Sequence, residues 1–159
     1  MKILDRLPIY DEPSLIEVQS EVYQVWTNQA IIWVSLGETS TPFPTILDTG
    51  HSHNLSMARR HAEKWGRPTP EQVGQAKIAG HLVPRYASDL FVHRNVPGTH
   101  RLSEVYRLRM DGGFAVVPDD LPIAPRLPLL GIQTIISNKL RLIIDGERRQ
   151  VTLETKGWF

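Results

Sequence analysis

The chain contains no cysteine. Disulfide staples, thiol nucleophiles and cysteine-ligated metals are therefore excluded. It also has no excess of either charge: 18 Lys and Arg against 17 Asp and Glu leave a net charge of +1. With acids and bases interspersed, there is no basic stripe of the kind that grips nucleic acid or anionic lipid, and neither is expected as a partner. No apolar run approaches the length of a membrane span. Residues 1–13 are interrupted by charges and prolines and do not read as a secretory signal. A cytoplasmic location is the expectation.

What is present points to β structure. The 159 residues suit a single domain, with residues 1–18 as an N-terminal arm or pro-segment. Twelve prolines punctuate short runs rich in Val, Ile, Leu, Tyr and Trp. "EVYQVWT", residues 21–27, alternates polar and apolar. Asn28 and Gln29 would turn it into "AIIWVSLG", residues 30–37, and "PTILDTG" comes next as a third strand. Leu55, Ala58, Ala62 and Trp65 fall on one helical face, which predicts a helix over residues 55–66 capped by Ser52 or Asn54. Thr69, Pro70 and Gln72 suggest a second short helix. Strands are expected at 89–96, 105–110 and 114–117, a short helix at 131–139, and a closing hairpin turning at Asp145 and Gly146.

The chemistry-bearing stretch is "FPTILDTGHSHNLSM", residues 43–57. A carboxylate at a strand end is partly shielded from water, and a glycine two residues on lets the backbone turn tightly behind it. Asp48, Thr49 and Gly50 alone fit an Asx turn ending a strand as well as they fit a catalytic site. His51 and His53 form H-x-H, which with Asp48 and His61 raises a zinc reading. The further acidic and histidine ligands of zinc hydrolases are absent. His81, His93 and His100 have no ligand spacing, and "ARRHAEK", residues 58–64, reads as a solvated helix face.

Context adds a resemblance. Asp48-Thr49-Gly50 comes after an apolar strand. Some eighty residues later come Leu129-Leu130-Gly131, a helical turn, a strand and a DG hairpin. In this the chain resembles the retropepsin-like aspartic proteases over residues 21–153, most specifically in blocks 30–52 and 128–153. The resemblance implies a closed, acid-protease-like β barrel with one or two short helices. In it two apolar strands cross like a letter ψ beneath the catalytic turn. It implies an aspartic endopeptidase acting on peptide or protein substrates without metal or organic cofactor. Because the motif occurs once, a homodimer must supply the second Asp48. Thr49 would lock the two turns together, and Gly50 would form the turn. A flap over residues 76–95 is expected, entered at Ala79 and Gly80 and tipped by residues 84–88. Arg85 and Tyr86, with His51 and Ser52, would contact substrate. His51 stands where the family usually has Ala or Ser, so a second expectation is a binding or dimerisation module that cleaves nothing. The C-terminal "LETKGWF" would lie at a subunit boundary or fray.

Overall fold

The computed structural model describes residues 1–37, 40–66 and 71–157. The fold is mainly β. Among the described residues, fourteen strands and two short helices run in the order β1 (Lys2–Pro8), β2 (Ser14–Val18), β3 (Glu21–Val25), β4 (Ile31–Ser35), β5 (Phe43–Leu47), β6 (Leu55–Ala58), α1 (Arg59–Trp65), β7 (Gln72–Ile78), β8 (His81–Tyr86), β9 (Leu90–Asn95), β10 (Leu102–Leu108), β11 (Phe114–Val117), β12 (Leu129–Leu130), α2 (Ile132–Ser137), β13 (Leu140–Asp145) and β14 (Gln150–Thr155). Nine of these strands form one sheet in the order β10-β9-β4-β5-β12-β6-β11-β8-β7. A second sheet runs β1-β14-β13, and β2 pairs with β3 alone.

The expected closed barrel is not found among the described residues: the large sheet ends at β10 on one side and β7 on the other. The three-stranded sheet meets β9 through side chains rather than through a continuing ladder. The Asn95 amide donates to the Asp5 carbonyl and accepts the Asp5 N–H, both at 2.9 Å. Arg94 reaches the Lys2 carbonyl at 2.8 Å. These groups satisfy backbone that a barrel would have paired strand to strand.

Residues 1–18, expected as an arm or pro-segment, contribute β1 and β2. Ile3, Leu4 and Leu7 of β1 are buried in the main core. The "LETKGWF" tail is held as far as Thr155, because β14 lies between β1 and β13. The expected β3–β4 hairpin does not form. β3 turns back on β2 at Gln19 and Ser20, which both take positive φ, while β4 has β5 on one side and β9 on the other. Buried on both faces, β4 reads as a continuous apolar run.

The main core is built from the inward faces of the large sheet and the β1 sheet, with Phe43, Leu55, Met57, Leu90, Phe114 and Leu130 at or near zero exposure. Each such side chain contributes about 1.5–3 kcal/mol by leaving water. Phe43 stacks on Trp65 at 5.3 Å between centroids, pinning α1 to the sheet. A smaller cluster of Ala76, Val83, Ala115 and Val117 lies beneath the β7–β8 hairpin. Leu121, Ile123 and Ala124 of the proline-rich stretch pack against it.

The expected helix over 55–66 is half a strand. Leu55–Ala58 is β6, and only Arg59–Trp65 is helical. All four β6 residues are buried and the strand is paired on both sides, antiparallel to β12 and parallel to β11. That pairing overrides the helical spacing. The expected helix at 69–72 lies partly outside the described residues, and Gln72 begins β7. The strands at β9, β10 and β11, the helix α2 and the β13–β14 hairpin stand close to where the sequence puts them. The hairpin loop spans residues 146–149, with Asp145 Oδ1 accepting the Arg148 N–H at 3.0 Å.

Candidate functional site

β5 ends at Leu47, and Asp48 is the first residue beyond it. Three backbone N–H groups hold the turn that starts there. The Asp48 N–H donates to the Leu130 carbonyl at 2.9 Å, and the His51 N–H donates to the Asp48 carbonyl at 3.1 Å. The Gly50 N–H donates to Asp48 Oδ1 at 3.0 Å. The carboxylate is therefore oriented by its own turn. Asp48 is half-buried, whereas Thr49 and Gly50 are exposed.

β12 carries this turn from below. Leu129 and Leu130 pair parallel to Ile46 and Leu47 of β5 and antiparallel to Ser56 and Leu55 of β6. The two-residue strand thus lies between the strand that enters the Asp48 turn and the strand that leaves it. Beyond Leu130 the chain stays in contact with the outgoing arm. The Gly131 N–H donates to the Asn54 carbonyl and the Ile132 N–H to the His51 carbonyl, each at 2.9 Å. Gly131 is required by this closeness, since a Cβ there would stand 2.1 Å from the His53 carbonyl oxygen and 2.3 Å from that of His51.

Asn54, expected as a helix cap, braces the site instead. Its Nδ2 donates to the Asp111 carbonyl at 2.9 Å and the Gly113 carbonyl at 3.1 Å. Its Oδ1 accepts from Thr134 Oγ1 at 2.8 Å. Asn54 and Thr134 are both buried. This one amide ties the outgoing arm of the Asp48 turn to the turn before β11 and to α2. A buried polar network of this kind fixes position when every member is satisfied.

His51 is half-buried, with Nε2 at 2.7 Å from Ser56 Oγ. Burial holds its pKa below the usual imidazole value, the neighbouring His53 acts in the same sense, and Asp48 acts in the opposite one. The neutral ring is thereby favoured. Ser52 is exposed at the outer bend. The zinc reading finds no support: among the described residues no three His, Cys, Asp or Glu side chains converge. His61 is far inside, stacked on Trp65 at 4.7 Å between centroids and 4% exposed. It is thus a core residue rather than part of a solvated face. His93 sits against Ser35 Oγ at 3.0 Å, and His100 stacks on Tyr10.

The segment expected as a flap, residues 76–95, covers most of the β7–β8 hairpin and β9, and the hairpin tip lies elsewhere than expected. Ile78 pairs with His81, so Ala79 and Gly80 form the tip, with φ of 47° and 84°. Residues 84–86, placed at the tip by sequence, belong to β8. Because strand side chains alternate, Arg85 and Tyr86 point to opposite faces. The Tyr86 ring packs on the main core near Phe114, at 6.1 Å. Arg85 lines a cavity of about 150 Å³ together with His53, Asn54, Gln75 and Gln133. No sequence signal marks His53, Gln75 and Gln133 as cavity residues. Their convergence depends on pairings across the fold.

No family model, no curated protein and no solved structure matches the chain.

Proposed function

We propose that the chain is a retropepsin-like aspartic endopeptidase that works as a homodimer, each subunit contributing one Asp48. The observation that carries this reading is the placement of Leu129 and Leu130 between β5 and β6, with the Asp48 N–H held by the Leu130 carbonyl. It supports the reading because the resemblance implies two apolar strands crossing beneath the catalytic turn. The exposed Thr49 and Gly50 leave the turn accessible to a second copy.

The chemistry derives from proximity. Two carboxylates brought together across a two-fold axis cannot both ionise cheaply, so the pair holds one proton between them. The ionised Asp48 takes a proton from a water between them, and that water attacks the scissile carbonyl. The protonated Asp48 passes its proton to the carbonyl oxygen as the water adds. In the resulting diol the first Asp48 gives the proton it took to the leaving nitrogen, the second takes one from a diol hydroxyl, and the C–N bond breaks, which restores a singly protonated pair. Thr49 braces one turn against the other, a positioning role. The β7–β8 hairpin closes over the peptide and excludes water. Asp48 Oδ1 is already tied to the Gly50 N–H, which holds the acid in one orientation before substrate arrives.

The test is Asp48→Asn, read by cleavage of an unfolded protein substrate and by sedimentation equilibrium. The reading expects cleavage to vanish while the dimer persists. A wild-type chain that dimerises but cleaves nothing would favour the binding-module alternative. A chain that stays monomeric with peptide present would remove both.

A further inference from the structure

The β7–β8 hairpin holds a charged group that the hydrolytic step does not use. Arg85 Nε donates to the Gln75 carbonyl at 3.1 Å, and Nη1 donates to the Gly112 carbonyl at 3.0 Å. Two glycines make room for the guanidinium. A Cβ at Gly112 would stand 2.2 Å from Nη1, and one at Gly74 would stand 2.9 Å from Nη2. The group is thus gripped by carbonyls, yet it takes part in none of the ion pairs among the described residues. Nη2 makes no hydrogen bond to a described residue.

The cavity beside it lies between the arm that leaves the Asp48 turn, α2 and the β7–β8 hairpin. His53 comes from the arm leaving the turn, Gln133 from α2, Gln75 and Arg85 from the hairpin, and Leu55 and Ala115 add apolar wall. The Asn54 amide is fully committed to its own network. Arg85, His53 and Gln133 therefore supply the polar side chains at the cavity wall, while the exposed Gln75 contributes its backbone, since the neighbouring Ala76 is the β7 residue that faces inward. A cavity of about 150 Å³ is of a size that admits a benzene-sized molecule. A carboxylate on a two-carbon stem is no larger.

We propose that this cavity is a specificity subsite for an acidic side chain of the substrate, a Glu or Asp near the scissile bond, with Arg85 as its counter-charge. The inference rests on the endopeptidase reading for its biological use, though not for the binding itself. A guanidinium held in place offers a planar fork that suits a carboxylate, and it loses little freedom when it pairs. A partly exposed cation with no ion-pair partner among the described residues gains modestly from an anion bound beside it. The Gln133 amide donates to the second carboxylate oxygen, and the apolar wall accepts the stem.

Two readouts test this. The first uses the Asp48→Asn protein, which binds without cleaving. N-acetyl-glutamate amide and N-acetyl-glutamine amide are titrated separately into ¹⁵N-labelled protein, into the millimolar range. The expected result is selective perturbation of the Gln75, Gly112 and Gly113 amides by the glutamyl probe. Arg85→Gln should abolish it, and Arg85→Lys should weaken it. Equal response to both probes, or to neither, overturns the proposal. The second readout maps wild-type cleavage sites in a peptide library. Glu or Asp should be enriched about tenfold or more at one position, as a charge-assisted hydrogen bond allows. The ratio of acidic to non-acidic sites should collapse in Arg85→Gln. Cleavage without that enrichment overturns the subsite and leaves the endopeptidase standing. Selective glutamyl binding without cleavage leaves the subsite standing and removes the endopeptidase.

Discussion

Gly131→Ala isolates the crossing on which the functional reading depends. At Gly131 φ is −90° and ψ is 177°, a backbone conformation that alanine adopts freely, so the substitution introduces no dihedral strain. Its effect is purely one of space. The new methyl would meet the His53 carbonyl oxygen at 2.1 Å, so the two segments must part by 0.9 Å to reach even 3.0 Å. Both clashing atoms are backbone, which no rotamer change relieves. Parting the segments stretches the hydrogen bonds from Gly131 to Asn54 and from Ile132 to His51, both 2.9 Å in the native chain. Overpacking and two weakened buried hydrogen bonds together cost about 3 kcal/mol. The assay is urea denaturation monitored by tryptophan fluorescence. Gly146→Ala serves as control, because nothing lies within 4 Å of a Cβ there. The expected result is a large fall in the midpoint for Gly131→Ala and a change within about 0.5 kcal/mol for the control. Where the variant folds, the Asp48 turn is displaced, and a misplacement of about 1 Å costs on the order of 100-fold in rate. A Gly131→Ala protein as stable and as active as the wild type would refute the geometry.

Three residues define the remaining predictions. Burial lowers the His61 pKa from 6.5 to about 4; Arg60 and Lys64 act in the same sense, while Asp119 and Glu21 oppose them. The unfolded chain therefore binds the proton first. The stability that the neutral ring supplies is complete above pH 6.5 and is lost as the pH falls toward 4, by about 3 kcal/mol in all. His61→Phe keeps the stack on Trp65 and should flatten the difference in denaturation midpoint between pH 7 and pH 4.5; an unchanged slope would contradict this. Asn54→Ala leaves the carbonyls of Asp111 and Gly113 and the Thr134 hydroxyl without their partner. It should cost about 2–4 kcal/mol, and thermal melting within a degree of wild type would count against the brace. Thr49→Val keeps shape and removes the hydroxyl; it should weaken the dimer in sedimentation while the isolated subunit melts as before.

The site was more legible than the frame that carries it. Asp48-Thr49-Gly50 after an apolar run, and Leu129-Leu130-Gly131 before a helical turn, are local patterns, and both segments meet in the structure. α2 and the β13–β14 hairpin are local too, set by short-range turn chemistry. The misreadings concern long-range pairing. Leu55, Ala58, Ala62 and Trp65 are all shielded from solvent to some degree and keep helical spacing, yet β11 and β12 hold the first half extended. The β2–β3 hairpin turns on Gln19 and Ser20 in left-handed conformations, with no glycine or asparagine to announce it. His61 sits among charged neighbours in sequence, and only the packing of α1 on Phe43 through Trp65 turns it inward. Arg85 was visible as a candidate, but its seat between Gly74 and Gly112 depends on residues far apart in the chain.

A subunit-mixing experiment tests the shared pair of acids most directly. Wild-type and Asp48→Asn chains are combined in varying ratio, allowed to exchange subunits, and assayed for peptide cleavage at constant total protein. If both Asp48 side chains are needed in one site, activity tracks the square of the wild-type fraction and falls to about a quarter in an equal mixture. A linear decline, to about half, would place a complete site in each chain and contradict the account.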